Sequence, residues 1–225
     1  MLFPPKPLFC ATASLAFFAS SAFAVSSTFD TGVEGWTGIG DVAAPLSWSG
    51  TGGNPGGNVS LVDSVAGGTT YFLAPAAFLG NQSGAIGTSL TFDLKQVFPG
   101  AADQFDAPDV ILTGAGLTLA FDLASNPANG SWTSYAVPLT STGWHLGTLA
   151  GAAPTAAQFL GVLSNLTALQ IRAEYQTGAD TGSLDNVFLA TAVTGPVPEP
   201  ETYALMLLGL GSVLAAAGRR RATKR

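Results

Sequence analysis

The stretch LTFDLK at residues 90–95 alternates three apolar side chains with three polar ones. Successive side chains of a β-strand point to opposite faces of a sheet, so this alternation predicts a strand with one face in a core and one in water. The same pattern recurs at residues 117–123 and 169–175, and weaker candidates lie at residues 26–29, 58–62, 69–73, 110–112, 132–139 and 184–190. Eight or nine short strands separated by Gly, Pro, Asn and Asp turns predict an all-β fold, an antiparallel jelly-roll β-sandwich.

One short helix is predicted beside these strands. Pro154 suits the first turn of a helix, and Ala156, Phe159, Leu160 and Leu163 follow it at helical spacing. We expect this helix to lie across one end or edge of the sandwich.

The body between residues 25 and 195 is strongly acidic. It holds twelve of the fourteen Asp and Glu residues but only two basic residues, Lys95 and Arg172, which gives a formal charge of −10. Affinity for nucleic acid comes mostly from basic residues that neutralise phosphates, so this charge excludes a nucleic-acid-binding role. It suits a soluble extracellular protein or a cation binder.

Residues 1–24 have the features of a signal peptide. Lys6 precedes an apolar run at residues 8–18, and Ala22-Phe23-Ala24 forms a small-x-small cleavage site. The run is shorter than the roughly 20 apolar residues that span a membrane, so we expect cleavage and a mature start near Val25. The single cysteine, Cys10, lies in this segment, and a mature chain without disulfides favours bacterial export.

The C-terminal segment has three parts in a fixed order. Val197-Pro198-Glu199-Pro200 precedes an apolar run at residues 203–218, which is followed by Arg219-Arg220-Arg221. As a helix this run is about 24 Å long, short of a hydrocarbon core of about 30 Å, and snorkelling arginines can make up the difference. We expect a transmembrane helix with the body outside and the basic tail on the cytoplasmic side.

This three-part pattern resembles the PEP-CTERM sorting signal of Gram-negative bacteria. The resemblance implies an exosortase as partner, cleavage near the Pro-Glu-Pro, and release or re-anchoring of the body at the cell surface. A plain tail anchor behind a proline-rich linker is the alternative. The predicted organisation is a signal peptide at 1–24, a body at 25–192, and a linker with the sorting and transmembrane segment at 193–225.

Five short motifs of the body occur in an order similar to that of the laminin B domain, also called laminin domain IV. They are FDTGVEGW (29–36), GGNPGG (52–57), the run at 71–94, LSNLTALQIRAEY (163–175) and LDNVFL (184–189). The resemblance implies a jelly-roll sandwich related in shape to carbohydrate-binding modules. Animal laminins place this domain among cysteine-rich modules that this chain lacks, so a role in laminin assembly is not implied.

Asp30 and Asp185 are candidate ligands of a structural calcium ion. Asp30 ends the first strand candidate, Asp185 begins the last, and those two strands can be neighbours in a jelly roll. Carboxylates together with carbonyls from glycine-rich turns suit Ca²⁺. The resemblance adds that carbohydrate-binding jelly rolls often hold calcium in such a place. The alternative is that Asp185 and Asn186 shape a turn.

Trp48 is the candidate ligand-binding residue. It lies in LSWSGTGGNPGG (46–57), which we expect to be a flexible polar loop, and an exposed indole there could stack on a sugar ring. Burial in the core is the alternative, and it is the expectation for Trp36 and Trp144.

The sequence contains no recognisable catalytic motif. His145, the single histidine, has neither a Gly-x-Ser-x-Gly elbow nor a cysteine nucleophile beside it and is expected to be structural or at the surface. Asp103, Asp106 and Asp109 are spaced by three, unlike an EF-hand loop, and predict a solvated acidic loop.

These features together predict an exported surface or matrix protein with no enzymatic activity. Its expected role is binding or structural, in exopolysaccharide or biofilm matrix, with polysaccharide as ligand. The alternatives are a secreted polysaccharide hydrolase and a structural coat protein without a small ligand.

Overall fold

The computed structural model describes residues 24–63, 67–100 and 107–191, which form two antiparallel β-sheets and one α-helix. The helix is α1 (Ala156–Ser164). The described strands are β1 (Val25–Ser27), β2 (Thr37–Ile39), β3 (Ser47–Ser49), β4 (Asn58–Asp63), β5 (Tyr71–Leu73), β6 (Ser89–Val97), β7 (Val110–Gly114), β8 (Leu117–Phe121), β9 (Thr133–Pro138), β10 (Trp144–Leu146), β11 (Leu166–Arg172) and β12 (Asp180–Leu189).

Within the described residues, each sheet has six strands. The first sheet has the order β3-β4-β12-β6-β9, with β1 also paired to β12, and the second has the order β10-β8-β7-β11-β5-β2. All of these pairings are antiparallel. The predicted all-β antiparallel sandwich with one short helix is therefore confirmed.

The core lies between the two sheets. Alternation in β6 works as predicted: Leu90, Phe92 and Leu94 are almost completely buried, and each such side chain stabilises the fold by about 1.5–3 kcal/mol relative to exposure. Trp36 and Trp144 are core residues, as expected, with 2% and 0% of their surface exposed.

Helix α1 begins with a capping box. Thr155 is the N-cap and accepts a hydrogen bond from the backbone N–H of Gln158, whose side chain accepts one from the N–H of Thr155. Pro154 therefore precedes the N-cap and lies outside the first helical turn, in which the sequence predicts it. The helix buries Phe159 in the core but leaves Leu160 44% exposed, which departs from the predicted apolar face.

Three strands were not predicted: β2, β3 and β10. Each has three residues, too few for alternation alone to identify a strand. Strands β1 and β5 are equally short in the structure, although the sequence predicts strands at 26–29 and 69–73. Trp48 accordingly lies in strand β3, not in a flexible loop. Strand β12 begins at Asp180, so Asp185 lies in its middle and not at its start.

Among the described residues, no helix is long and apolar enough to cross a membrane. The predicted signal peptide, the Pro-Glu-Pro and arginine parts of the sorting pattern, and the apolar run at 203–218 fall outside the described residues.

Candidate functional site

Strands β1 and β12 are neighbours, as the calcium hypothesis required. Ser27 lies opposite Val187 in this pair. Asp30, just after β1, and Asp185, in β12, both contact the glycine-rich loop (residues 50–57) that connects β3 to β4. The backbone N–H of Asn54 donates to Asp185 Oδ2 at 2.6 Å, and that of Gly57 donates to Asp30 Oδ1 at 3.4 Å. The two aspartates thus hold the loop from two sides.

The loop can pass between these aspartates because it carries glycines. A Cβ at Gly53 would lie 2.6 Å from Asp185 Oδ2, and a Cβ at Gly56 would overlap Asp30 Oδ1. Gly56 also has φ +91°, a conformation that residues with a side chain rarely adopt. Close approach and backbone conformation together explain the GGNPGG sequence at this place.

A second aspartate lies beside Asp185 under the loop. Asp93 in β6 is directly opposite Asp185, and the two are 7% and 0% exposed. Asp93 Oδ2 accepts hydrogen bonds from the side-chain amides of Asn54 at 3.2 Å and Asn186 at 2.8 Å. Burial raises the pKa of Asp185; backbone N–H groups of Asn54 and Asn186 oppose that rise, and the charges of Asp93 and Asp30 add to it.

Asn186 marks an irregularity in β12, not a turn before the strand. The register between β12 and β6 shifts between Asp185 and Phe188, and Asn186 has φ +50°. Its N–H donates to Asp185 Oδ1 at 2.7 Å, and its side chain donates to Asn54 O at 2.5 Å. The bulge therefore turns the Asn186 amide toward the loop and ties β12 to it.

The oxygen atoms near Asp30 and Asp185 bear on the calcium hypothesis. Calcium takes six to eight oxygen ligands. In the described part of the chain, no three His, Cys, Asp or Glu side chains are grouped so that they could hold a metal ion. Both carboxylate oxygens of Asp185 already accept backbone N–H donors. The hydrogen bonds support the anchoring of the loop, and calcium at Asp30 and Asp185 stays a prediction.

Trp48 lies at the edge of the first sheet, beside the loop. The residue is 44% exposed, and its Nε1–H donates to the Phe29 carbonyl at 2.6 Å. A Cβ at Gly50 would come within 3.2 Å of the ring, so glycine leaves room for it. The indole is therefore both exposed and held in one orientation by a hydrogen bond to the backbone.

Trp132 borders the same loop on the other side, and sequence analysis did not single it out. Its Nε1–H donates to Gly52 O at 3.0 Å, and Lys95 Nζ lies 4.6 Å from its ring centroid. Lys95 also donates to Gly52 O at 3.4 Å. The contact between Trp132 and Lys95 could not be read from the sequence, because these residues meet only through the pairing of β6 with β9.

The remaining candidates make structural contacts. His145 Nδ1 lies 2.8 Å from Gly151 O. The predicted solvated acidic loop is wrong at Asp109, which is 1% exposed, lies 3.5 Å from Arg172 Nη1 and accepts the Leu123 N–H at 2.7 Å. Burial raises the pKa of Asp109 to about 6, although the contacts with Leu123 and Arg172 lower it. Asp103 and Asp106 lie outside the described residues.

Two family models match the chain. The model of laminin B (domain IV) matches residues 71–204, and that of the PEP-CTERM protein-sorting motif matches residues 196–221. Laminin subunit gamma-1 of Xenopus tropicalis is 33% identical over 199 residues, covering 85% of this chain. Laminin subunit gamma-2 of Homo sapiens is 35% identical over 182 residues, covering 76%. The chain spans 12% and 14% of the length of these two relatives.

Solved structures show the same fold at low sequence identity. The L4b domain of human laminin alpha-2 has a TM-score of 0.50 and 18% identity, with 59% of this chain and 80% of that chain covered. A family 11 carbohydrate-binding module from Clostridium thermocellum, in complex with a β-1,3-1,4-mixed-linked tetrasaccharide, has a TM-score of 0.50 and 18% identity, with 77% and 99% covered. At this identity the likeness concerns the fold alone.

Proposed function

The chain belongs to the laminin B (domain IV) family and carries a PEP-CTERM sorting motif, and on this premise we propose that it is an exported surface protein of a Gram-negative bacterium that binds matrix polysaccharide without cleaving it. The sorting motif at residues 196–221 supports export and transit through the membrane. An exosortase would cut near Pro198-Glu199-Pro200 and leave the body at the cell surface.

The observation that carries the binding proposal is the exposed, fixed indole of Trp48. Ring stacking on one aromatic side chain contributes about 1 kcal/mol beyond area burial. A ring already held by the 2.6 Å hydrogen bond to Phe29 O loses little freedom when a sugar binds.

The expected affinity is low for a single site. One stacked ring and a few hydrogen bonds to the hydroxyl groups of the sugar correspond to dissociation constants in the micromolar to millimolar range. Many copies displayed on one cell would then provide avidity, because each further contact with the same polysaccharide is effectively intramolecular.

The test compares the mature chain with two alanine variants on matrix polysaccharides and a glycan array. Trp48→Ala should reduce retention at least several-fold. Phe188→Ala is the matched control, since Phe188 is an exposed aromatic of the same sheet, 39% exposed, at a distance from β3; it should leave retention unchanged.

Reducing ends are measured in the same incubations to detect cleavage. New reducing ends that vanish when an acidic residue is replaced by its amide would establish a hydrolase instead. Equal retention of both variants and the parent would refute Trp48 as the contact. No retention on any glycan would leave the structural-coat alternative.

A further inference from the structure

A second group of acidic residues gathers between the sheets, at the end of β4 away from the glycine-rich loop. Asp63 ends β4 and lies directly opposite Asp180, the first residue of β12. Glu174 follows β11 of the other sheet, and Asp41 lies between β2 and β3. Asp63, Asp180 and Glu174 are only 1%, 4% and 6% exposed. We call these four residues the acid cluster.

Backbone groups tie the acid cluster to both sheets. Thr70 joins two members, because its N–H donates to Glu174 Oε2 at 2.9 Å and its hydroxyl donates to Asp41 Oδ1 at 3.3 Å. The N–H of Tyr175 donates to Asp180 Oδ2 at 3.0 Å. The backbone N–H of Gln176 also lowers the pKa of Asp180, and the Asp180 Oδ1 atom is buried in the part of the chain that the structure describes.

The charges that face the cluster are mostly negative. Asp63, Asp180 and Asp41 face Glu174 from β4, from β12 and from the β2–β3 connection, and Tyr71 of β5 is the further titratable neighbour. Residues 64–66, which connect β4 to the next described segment, are Ser, Val and Ala and carry no titratable group.

The two basic residues of the body are engaged elsewhere. Arg172 stacks over the Tyr175 ring at 4.6 Å and lies beside Asp109. Its charge lowers the pKa of Asp180, but less than burial and the other neighbours of Asp180 change it. Lys95 lies at Gly52 and Trp132. Burial, with the neighbouring carboxylates adding to it, raises the pKa of Glu174 to about 7 and that of Asp180 to about 6.

We propose that the acid cluster is a proton-operated switch, in which protons held on Glu174 and Asp180 keep this end of the sandwich closed at mildly acidic pH and their loss near neutral pH loosens it. The step is proton exchange with solvent: a carboxyl O–H breaks and the proton goes to water. A proton on Glu174 or Asp180 removes one of the buried charges, whereas ionised carboxylates contributed by both sheets repel one another across the interior.

The test is hydrogen exchange of single amides, measured by NMR between pH 5 and pH 8 with a chelator present and corrected for intrinsic exchange rates. The N–H groups of Thr70 and Tyr175, which donate to the cluster, should lose at least tenfold in protection over this range. Those of Gly80 and Leu166, which pair with each other at the opposite end of β11, are the internal reference and should lose much less.

Two glutamate variants provide the matched comparison. Glu174→Gln removes one titrating charge from the cluster and should keep Thr70 and Tyr175 protected at pH 8. Glu34→Gln makes the same chemical change at an exposed residue and should leave the pH dependence as it is.

Three results would overturn the proposal. The first is a loss of protection at Thr70 and Tyr175 that merely matches the reference amides. The second is protection at pH 8 that requires added Ca²⁺, which would assign the cluster to a metal ion. The third comes from carbon-13 NMR of the carboxyl groups in the unaltered protein, which needs no variant to fold: titration of Glu174 at the usual value of a free glutamate contradicts the switch.

Discussion

Asp185→Asn separates the anchoring of the glycine-rich loop from calcium binding. The carboxylate of Asp185 is fully buried and accepts two backbone N–H groups, from Asn54 at 2.6 Å and from Asn186 at 2.7 Å. Asparagine keeps the shape but has one acceptor oxygen, so its NH₂ group must face one of these donors. A hydrogen bond to a charged group contributes about 1.5–3 kcal/mol, and a buried donor left without a partner costs about 1–3 kcal/mol.

The expected fall in the free energy of unfolding of Asp185→Asn is smaller than the sum of these values. Asp185 lies opposite Asp93, and removing one of two adjacent buried charges offsets part of the cost. We expect the free energy of unfolding to fall by about 2 kcal/mol. In a domain of this size each kcal/mol lowers the melting temperature by about 2–4 °C, so the midpoint should fall by about 4–8 °C.

The assay is thermal unfolding followed by circular dichroism, with chelator and again with millimolar Ca²⁺. Asp30→Asn is the matched control, because Asp30 is exposed and its bond to Gly57 N is 3.4 Å long; it should cost less than about 1 kcal/mol. If Asp185 only anchors the loop, Asp185→Asn should lower the melting temperature by the same amount with chelator and with Ca²⁺.

Calcium predicts a different pattern. A ligand bound only by the folded state at 100 times its dissociation constant adds about 2.7 kcal/mol, so Ca²⁺ should then raise the midpoint of the unaltered protein by several degrees and not that of Asp185→Asn. A variant that melts like the unaltered protein in chelator would refute the anchoring argument.

Three further predictions concern pH, processing and the loop. The folded state raises the pKa of Glu174 to about 7 and that of Asp180 to about 6, so it is stabilised while these carboxyl groups are protonated and loses that stability as pH rises from about 4 toward 7. The free energy of unfolding measured in urea should therefore be about 1–3 kcal/mol higher at pH 5 than at pH 8. Equal free energies at the two pH values would contradict this prediction. Mass spectrometry of surface-released protein should find neither residues 1–24 nor residues 203–218, and an intact C-terminus would exclude processing. Gly53→Ala should destabilise by about 1–3 kcal/mol in urea unfolding, because its Cβ would meet Asp185 Oδ2 and the Gly57 carbonyl, whereas Gly68→Ala, at a glycine with open space, should change little.

The strands whose alternation is clearest in the sequence are those with enough residues to show a period. Strands β6, β8 and β11 alternate over five or more residues, and each was predicted within a few residues of its bounds. Strand β3 has three residues and shows no such period, so the sequence predicts a loop around Trp48. The first residues of β12 include Gly182 and Ser183, which are poor strand formers, and their pairing with β4 overrides that preference.

The candidate site was predictable only in part, for a related reason. The proximity of Asp30 and Asp185 followed from the expected neighbourhood of the first and last strands, since that depends on topology alone. The acid cluster could not be foreseen, because Asp63, Glu174 and Asp180 meet through the register of β4 with β12 and the packing of two sheets. Nor does the sequence show that Asp109 is buried beside Arg172, since three closely spaced aspartates are typical of a solvated loop.

Asp180, in the acid cluster, and Asp185, under the glycine-rich loop, share strand β12 but act on different parts of the molecule. Asp180 has the same parity in β12 as core residue Leu184 and faces the interior, whereas Asp185 faces outward beneath the glycine-rich loop. Five residues of strand separate them by about 17 Å. Effects at sites this far apart without shared partners usually add within about 0.5 kcal/mol. Stability changes at Glu174, on the cluster, and at Asp185, on the loop, are therefore expected to be additive. A large coupling would mean that β12 transmits strain from the interior end to the loop, and that the proton switch also reaches the surface where Trp48 lies.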